Sequence, residues 1–287
     1  MNENTYGKLY LCATPIGNLG DITVRTLETL KSVDLIAAED TRVSAKLMNY
    51  FDISAPLTSY YEHNKREKGN YLIAKLKDGV NIAIITDAGM PGISDPGEDL
   101  VRLCVENGIS VEVLPGACAF ATALVGSGMP TGRFAFEGFL TVNKKNRIQR
   151  LEEVKNDIRT LIFYEAPHKL LTTLKDMLSV LGDRKIVLAR ELTKKFEEYR
   201  RTTLSQAIEH YEETPPKGEF VLILSGADPE ELKQEYLAAL PDVEELLRKH
   251  SAEGMRAKEL TRRVADELKQ PRREIYDLYL KIKDTFV

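Results

Sequence analysis

Short apolar runs alternate with amphipathic segments along the first part of the chain. The apolar runs are rich in β-branched residues and predict buried strands, whereas the segments between them repeat apolar residues every three or four positions and predict helices. The predicted strands cover 9–13, 34–38, 81–86 and 110–114, and the predicted helices cover 23–33, 44–50, 71–77, 98–107 and 117–125. Strands that alternate with helices in this way form a mostly parallel sheet covered on both faces.

The pattern breaks at 126–132, where three glycines and a proline predict a domain linker. A second α/β run follows, with strands predicted at 134–140, 160–164, 185–189 and 219–224 and helices at 144–155 and 169–181. Only helical patterns remain after 225–229, and the helices predicted at 255–268 and 272–282 flank a turn, as in a helix-turn-helix. We therefore predict an α/β fold with domains at 1–130 and 131–228 and a small helical unit at 229–287.

Composition limits the class of protein without naming it. The chain has 287 residues, of which 43% are hydrophobic and 29% charged, and its net charge is −4. No apolar run approaches the roughly 20 residues that span a bilayer, and the N-terminus lacks a signal-peptide pattern, so we expect a cytoplasmic protein. The cysteines at 12, 104 and 118 lie in apolar segments without metal-ligand spacing, which predicts small core or pocket-wall residues.

Four loops follow predicted strands and concentrate glycine, proline and acidic residues. They cover 14–21, 39–42, 87–97 and 115–119, and the third, Asp87 to Gly97, holds three glycines, two prolines and two aspartates. Glycine lets a backbone approach a ligand closely, and proline fixes the shape of a loop before the ligand binds. Ordinary turns explain any one of these loops equally well. The four together predict a ligand crevice at the carboxyl ends of the strands.

The chemistry of these loops narrows the kind of ligand. Neither a G-x-G-x-x-G nor a P-loop pattern is present, whereas carboxylates stand at the strand ends as Glu39, Asp40, Asp87 and Asp95. Carboxylates repel phosphate but suit ribose hydroxyls, an amino group or a sulfonium. S-adenosylmethionine has all three and carries no phosphate. The four histidines lack metal-binding spacing, so we expect no metal site.

Seven motifs in order carry a family resemblance across essentially the whole chain. They are TPIGNLGDIT, AEDTR, ITDAGMPGISDPG, LPGACA, FYEAPHKL, ARELTKKFEE and KGEFVLIL. The series resembles the tetrapyrrole-methylase superfamily of S-adenosylmethionine-dependent enzymes, and within it the bacterial members that methylate a cytidine 2′-hydroxyl of 16S rRNA in the small ribosomal subunit. The resemblance implies two αβα domains with the cofactor between them, the class III methyltransferase fold, and a homodimer.

The same resemblance implies which residues bind the cofactor. By matching motif they are Pro15, Asp87, Gly89, Met90, Ile93, Ser94, Cys118, Ala119, Tyr164 and Ala189. Cys118 stands where relatives often have serine, which weakens any side-chain hydrogen bond there. The loop after Asp87 lacks the phenylalanine-rich stretch of the tetrapyrrole enzymes, which argues against a porphyrinoid substrate.

Candidate catalytic and RNA-binding residues follow from charge and position. The candidates for a general base each end a strand: Glu39, Asp40 and Glu191. Lys194 is a candidate for stabilising a developing alkoxide. A salt bridge or a helix cap explains each of these four residues equally well. The residues expected to contact RNA phosphates are Arg42, Lys65, Arg66, Lys195, Arg262, Arg263, Arg272 and Arg273. From 248 to 283 the chain has 11 Lys and Arg against 6 Asp and Glu, although a solvated helix face also explains such an excess.

Two other functions remain open from the sequence. One is a tetrapyrrole C-methyltransferase, which would need a large apolar trough and has no use for a basic helical tail. The other is a nucleic-acid adaptor without catalytic activity, which would not bind S-adenosylmethionine.

Overall fold

The computed structural model describes residues 6–233 and 243–283. Contacts divide the chain into two compact units, Met1–Gly226 and Ala227–Val287. The first unit contains two five-stranded sheets, and the second contains helices. The predicted boundaries at 130 and 228 remain predictions. Residues 234–242 and 284–287 of the predicted helical unit lie outside the described residues.

The first sheet is wholly parallel, as the alternation of strands and helices predicts. Its order is β3-β2-β4-β1-β5. The strands are β1 Leu9–Cys12, β2 Leu35–Ala38, β3 Leu57–Ser59, β4 Ile82–Ile85 and β5 Val111–Leu114, and the helices are α1 Val24–Ser32, α2 Thr41–Tyr50, α3 Lys65–Lys77 and α4 Glu98–Glu106. Along β4, Ile82 and Ile84 pack into one core cluster and Ala83 and Ile85 into another, so both faces are buried. The carboxyl ends of β1, β2, β4 and β5 therefore meet at one edge.

The second sheet is mixed, whereas the sequence predicted only a second α/β run without strand directions. Its order is β6-β7-β10-β8-β9, and only β6 and β7 are parallel. The strands are β6 Phe134–Phe139, β7 Thr160–Glu165, β8 Lys185–Arg190, β9 Glu198–Thr203 and β10 Phe220–Leu224, and the helices are α5 Ala119–Ser127, α6 Lys144–Val154, α7 Pro167–Leu181 and α8 Leu204–Glu213. The short connection from β8 to β9 permits only an antiparallel pair. Strand β9, EYRRTT, was not predicted because its polar sequence is that of a sheet edge.

Helix α5 covers the second sheet although it directly follows the last strand of the first. Its Ala123 and Leu124 are buried in a cluster with Ile162, Val187 and Ile223 of the second sheet. The glycine-rich stretch 126–132 therefore connects this helix to β6 on the sheet that it already covers. The close approach of Gly126 to the Tyr199 ring, where a Cβ would lie 2.4 Å from the hydroxyl oxygen, leaves no room for a larger residue.

The second unit is a small helical bundle. Its described helices are α9 Val243–Ala252, α10 Ala257–Leu268 and α11 Arg272–Ile282. Leu247, Leu260, Val264 and Ile275 form its core, which confirms the apolar faces expected for the last two helices. Among the residues that the structure describes, no helix is both long and apolar enough to cross a membrane.

Candidate active site

A cavity of about 430 Å³ lies inside the first unit, where loops from both sheets face each other. Eight of the ten residues predicted to bind the cofactor line it: Asp87, Gly89, Met90, Ile93, Cys118, Ala119, Tyr164 and Ala189. Three of the four predicted catalytic residues, Glu39, Glu191 and Lys194, line it as well. The structure thus brings together residues that are separated by up to half the chain in the sequence.

Two of the glycine-bearing loops are joined by backbone hydrogen bonds. The Thr14 amide donates to the Gly89 carbonyl at 2.9 Å, and the Gly89 amide donates to the Thr14 carbonyl at 3.0 Å. Gly89 has a φ of 89°, which a residue with a side chain rarely adopts. Pro15, which follows Thr14, lines an adjoining cavity, and Ser94 lines neither cavity.

Three carboxyl groups converge on the cavity, and burial makes each of them harder to ionise. Burial, and then repulsion from Glu39 and Asp87, raises the pKa of Asp95 to about 7. The pKa of Glu39 is raised by burial and by the Asp87 charge, and that of Asp87 is raised mainly by burial. A cluster of carboxyl groups in a partly buried pocket is suited to a positively charged ligand, because such a ligand favours their ionised forms.

Asp40 has a different environment from the other strand-end carboxylates. It is the N-cap of α2, and its carboxylate accepts hydrogen bonds from the Arg42 amide at 2.8 Å and from the Arg42 guanidinium at 2.6 and 3.0 Å. These hydrogen bonds lower the pKa of Asp40 to about 2. Asp40 does not line the cavity, and a carboxylate stabilised in this way is a weak base.

Glu191 and Lys194 form a small ionic network with Glu219 at the cavity wall. The Lys194 ammonium donates to the Glu191 carboxylate at 3.0 Å and to the Glu219 carboxylate at 3.2 Å. Burial alone would raise the pKa of Glu191, but hydrogen bonds from Lys194 and from the Glu219 amide outweigh it and lower this pKa. The network keeps Lys194 charged at the mouth of the cavity. Glu219 opens the motif GEFVLIL and was not predicted as a site residue.

Aromatic side chains form the wall on the side of the second sheet. The Tyr164 hydroxyl accepts a hydrogen bond from the Phe120 amide at 3.1 Å, and the ring of Tyr164 packs edge-on against Phe136 and Phe139. Phe139 lines the cavity yet is 56% exposed, so its ring is available to stack against a planar ligand. Sequence reasoning missed Phe139, although its place at the carboxyl end of β6 is the signal that could have found it.

The predicted RNA-binding residues are exposed to different degrees. Arg42 is paired with Asp40, and Lys65 forms ion pairs with Glu62 and Asp99 at 2.7 and 2.8 Å. Arg66 and Lys195 are exposed. In the second unit, Arg262, Arg263, Arg272 and Arg273 are all exposed on α10 and α11. Their role in RNA binding remains a prediction.

Within the described residues, no group of three His, Cys, Asp or Glu side chains could hold a metal ion.

The chain is similar to known proteins along most of its length. Residues 8–208 match the profile of the family described as Tetrapyrrole (Corrin/Porphyrin) Methylases. The chain is 49% identical to the ribosomal RNA small subunit methyltransferase I of Synechocystis sp., over 96% of this chain and 99% of that protein. It is 47% identical to the protein of the same name from Bacillus subtilis, over 96% and 95% of the two chains. A shorter relative of the same name, from Thermotoga maritima, is 46% identical over 77% of this chain and 100% of its own length.

Solved structures of more distant proteins share the fold. The methyltransferase CobJ has a TM-score of 0.57 at 18% identity, and the match covers 77% of this chain and 95% of that one. The uroporphyrin-III C-methyltransferase of Thermus thermophilus, solved with S-adenosyl homocysteine, has a TM-score of 0.54 at 18% identity and is matched over 97% of its length by 76% of this chain.

Proposed function

The chain belongs to the tetrapyrrole methylase family, and we propose that it transfers a methyl group from S-adenosylmethionine to the ribose 2′-hydroxyl of a cytidine in 16S rRNA. The observation that carries the proposal is the 49% identity to a ribosomal RNA small subunit methyltransferase I along almost the whole of both chains. The uroporphyrin-III C-methyltransferase and CobJ are only 18% identical to this chain and support the fold alone.

The residues of the cavity fit the proposed cofactor. Asp87 and Asp95 would face the sulfonium and the amino group of S-adenosylmethionine, which are its two cationic groups. Met90, Ile93 and Tyr164 would cover its apolar parts, and no phosphate-binding loop is needed. When bound, the cofactor supplies an electrophilic methyl group and leaves as S-adenosylhomocysteine. The ten cofactor-binding residues named from the sequence are proposed in this role.

Among the proposed catalytic residues, the geometry favours Glu39 as the base. It lines the cavity, and its raised pKa makes it a better proton acceptor than Asp40 or Glu191, whose pKa values are lowered. Lys194 remains charged because Glu191 and Glu219 hold it, so it can stabilise negative charge that develops on the acceptor oxygen. Methyl transfer from a sulfonium needs little else besides alignment of donor and acceptor.

The partners follow from the same proposal. The 16S rRNA, in the small subunit, would be held by the exposed cations around the cavity and by the helical unit at 229–287, which we propose as an RNA-docking part alongside the domains at 1–130 and 131–228. We also propose that the protein works in the cytoplasm as a homodimer, which light scattering on the purified chain would test.

A methyl-transfer assay tests the proposed function. The protein is incubated with S-adenosylmethionine labelled in its methyl group and with small ribosomal subunits or their free RNA, and the labelled nucleotide is mapped. Label on a ribose 2′-oxygen of a cytidine is the expected result. Label on a base or on an added porphyrinoid would refute this acceptor, and binding of RNA without binding of S-adenosylmethionine in calorimetry would support an adaptor instead.

A further inference from the structure

A second cavity, of about 490 Å³, adjoins the first on the side of α2. Five residues line both cavities: Ile16, Asp87, Ala88, Lys194 and Glu219. The second cavity therefore adjoins the proposed cofactor site, and the residues at this junction carry two carboxylates and one ammonium group. Its volume lies in the range that holds a small ligand or one nucleoside.

One face of α2 forms the outer wall of this cavity. Val43, Lys46, Leu47 and Tyr50 line it, and their spacing of three, four and seven residues puts them on one stripe of the helix. A stripe of this kind normally packs against the protein core, but Val43 is 42% exposed and Tyr50 is 64% exposed. An exposed aromatic ring beside a lysine is the combination that binds bases and phosphates of single-stranded nucleic acid.

Lys46 is free to contact a phosphate. Arg42 and Lys65 are neutralised by carboxylates, whereas Lys46 forms no ion pair or side-chain hydrogen bond with any residue in the described part of the chain. Its position one helical turn from Tyr50 places a cation and an aromatic ring on the same stripe of α2.

Ser44 supplies independent evidence that the cavity binds a polar ligand. It lines the cavity and is only 3% exposed, yet its hydroxyl oxygen has no hydrogen-bond partner. Buried hydroxyl groups are almost always paired, because leaving one unpaired costs about 1 to 3 kcal/mol. A ligand hydroxyl in the cavity would satisfy this group.

We propose that the second cavity is the acceptor subsite, which takes one flipped-out nucleoside of a single-stranded RNA segment with its base against Tyr50 and its ribose at the junction. This assignment rests on the proposed function and names residues that recognise its substrate. The ribose would lie beside Asp87 and Lys194, and the flanking phosphate beside Lys46. Phosphate at the junction itself would be repelled by Asp87 and Glu219, which fixes the orientation.

Methyl transfer at the junction is a displacement at the methyl carbon. The ribose 2′-oxygen forms a bond to the methyl carbon, the bond from that carbon to sulfur breaks, and the electron pair stays on sulfur to give the neutral thioether. The proton of the 2′-hydroxyl passes to the Glu39 carboxylate, which lines the first cavity and lies close enough to Asp87 at the junction for the two charges to interact. Transfer requires acceptor and donor atoms about 3 Å apart, so it can occur only where the two cavities meet.

Three substitutions on α2 test the subsite in the full-length protein. Tyr50→Ala is expected to lower kcat/KM for the small subunit about tenfold, which is the effect of losing one stacked base. Lys46→Ala should weaken RNA binding and reduce its dependence on salt by about one phosphate contact. Ser44→Ala should lower kcat/KM without lowering the melting temperature, because the hydroxyl has no partner in the protein to lose. The affinity for S-adenosylmethionine, measured by calorimetry, should stay unchanged in all three.

Matched controls and opposing outcomes keep the assignment testable. Tyr71→Ala on α3 and Lys31→Ala on α1 each replace an exposed residue of the same type as Tyr50 or Lys46. Both controls should leave kcat/KM unchanged. The subsite is wrong if the three variants of α2 transfer methyl normally, if they lose affinity for S-adenosylmethionine, or if Tyr50→Ala changes the oligomeric state, which would make this face an interface between copies. Failure of the wild-type protein to methylate RNA would instead refute the proposed function itself.

Discussion

Replacing Asp95 by asparagine should make the affinity for the cofactor nearly independent of pH. Burial and the nearby carboxylates Glu39 and Asp87 raise the pKa of Asp95 to about 7. A bound sulfonium favours the ionised carboxylate, so S-adenosylmethionine must displace a proton whenever the pH is below this pKa. We therefore expect the affinity of the wild-type protein for S-adenosylmethionine to rise with pH through neutrality.

The size of the effect follows from the pKa of about 7 for Asp95. Asp95 is about nine-tenths ionised at pH 8 and about one-tenth ionised at pH 6. The dissociation constant for S-adenosylmethionine should therefore increase roughly tenfold as the pH falls from 8 to 6, which corresponds to about 1.4 kcal/mol. Asp95→Asn should bind more weakly at pH 8 and show little change with pH. The same substitution weakens cofactor binding at pH 8 but should stabilise the fold at that pH. Because the pKa of Asp95 is higher in the folded chain than in the unfolded chain, the folded protein loses stability as the pH rises from about 4 to about 7, and asparagine removes this loss.

Calorimetric titration between pH 6 and pH 8 measures the affinity, and buffers of different ionisation enthalpy measure the proton that is released. S-adenosylhomocysteine is the control ligand, since it lacks the sulfonium charge and should show a weaker dependence on pH. Thermal melts at pH 5 and pH 8 should show that Asp95→Asn gains stability mainly at the higher pH. An affinity that does not change with pH in the wild type, or one that changes equally in Asp95→Asn, would refute the reasoning.

Three further outcomes are expected. Asp87→Ala should weaken cofactor binding more than RNA binding; normal cofactor binding with no methyl transfer, in calorimetry and the transfer assay, would place Asp87 in the catalytic group instead. Arg147→Ala leaves Asp176 buried without the guanidinium that donates to it at 2.7 Å. Urea unfolding should show that the free energy of unfolding falls by about 3 to 5 kcal/mol, and the double variant Arg147→Met, Asp176→Leu should recover most of this loss. Deleting the chain from Pro229 onward should raise KM for the small subunit. The affinity for S-adenosylmethionine and kcat should survive, because every residue that lines the cavity belongs to the unit Met1–Gly226; an unchanged KM would end the docking role of the tail.

The first sheet and its loops could be predicted because local signals and tertiary structure agree there. Buried parallel strands are continuous apolar runs, and the loops after them must gather at one edge. Asp87 and Gly89 follow β4, and Cys118 follows β5, so the convergence of six of the eight predicted residues on one cavity is a consequence of parallel topology, and only Tyr164 and Ala189 come from the mixed second sheet. The missing phosphate motifs and the carboxylates then indicated the charge of the ligand.

The second sheet and the second cavity depend on long-range pairing that a local pattern does not reveal. Strand β10 lies between β7 and β8 although it is the last strand in sequence, and β9 has the polar composition of an edge. The stripe of α2 that lines the second cavity has the spacing of a core-facing stripe, so its sequence predicts burial. Only the structure shows that Tyr50 is exposed and that Ser44 is buried without a partner.

Backbone strain near the site explains why sequence reasoning is weakest there. Five non-glycine residues in the described chain have a positive φ, and three of them, Ser94, Glu191 and Thr193, lie in loops at the cavity. Each such residue costs of order 1 to 3 kcal/mol, which surrounding structure must offset. For Thr193 the structure shows how: its amide donates to the Glu197 carboxylate at 2.6 Å, and its hydroxyl accepts from the Asn18 amide of the first loop at 3.0 Å. The strain at Thr193 is therefore offset by one local contact and by one contact with the loop that follows β1, and the loop that carries Thr193 also carries Lys194, which lines both cavities.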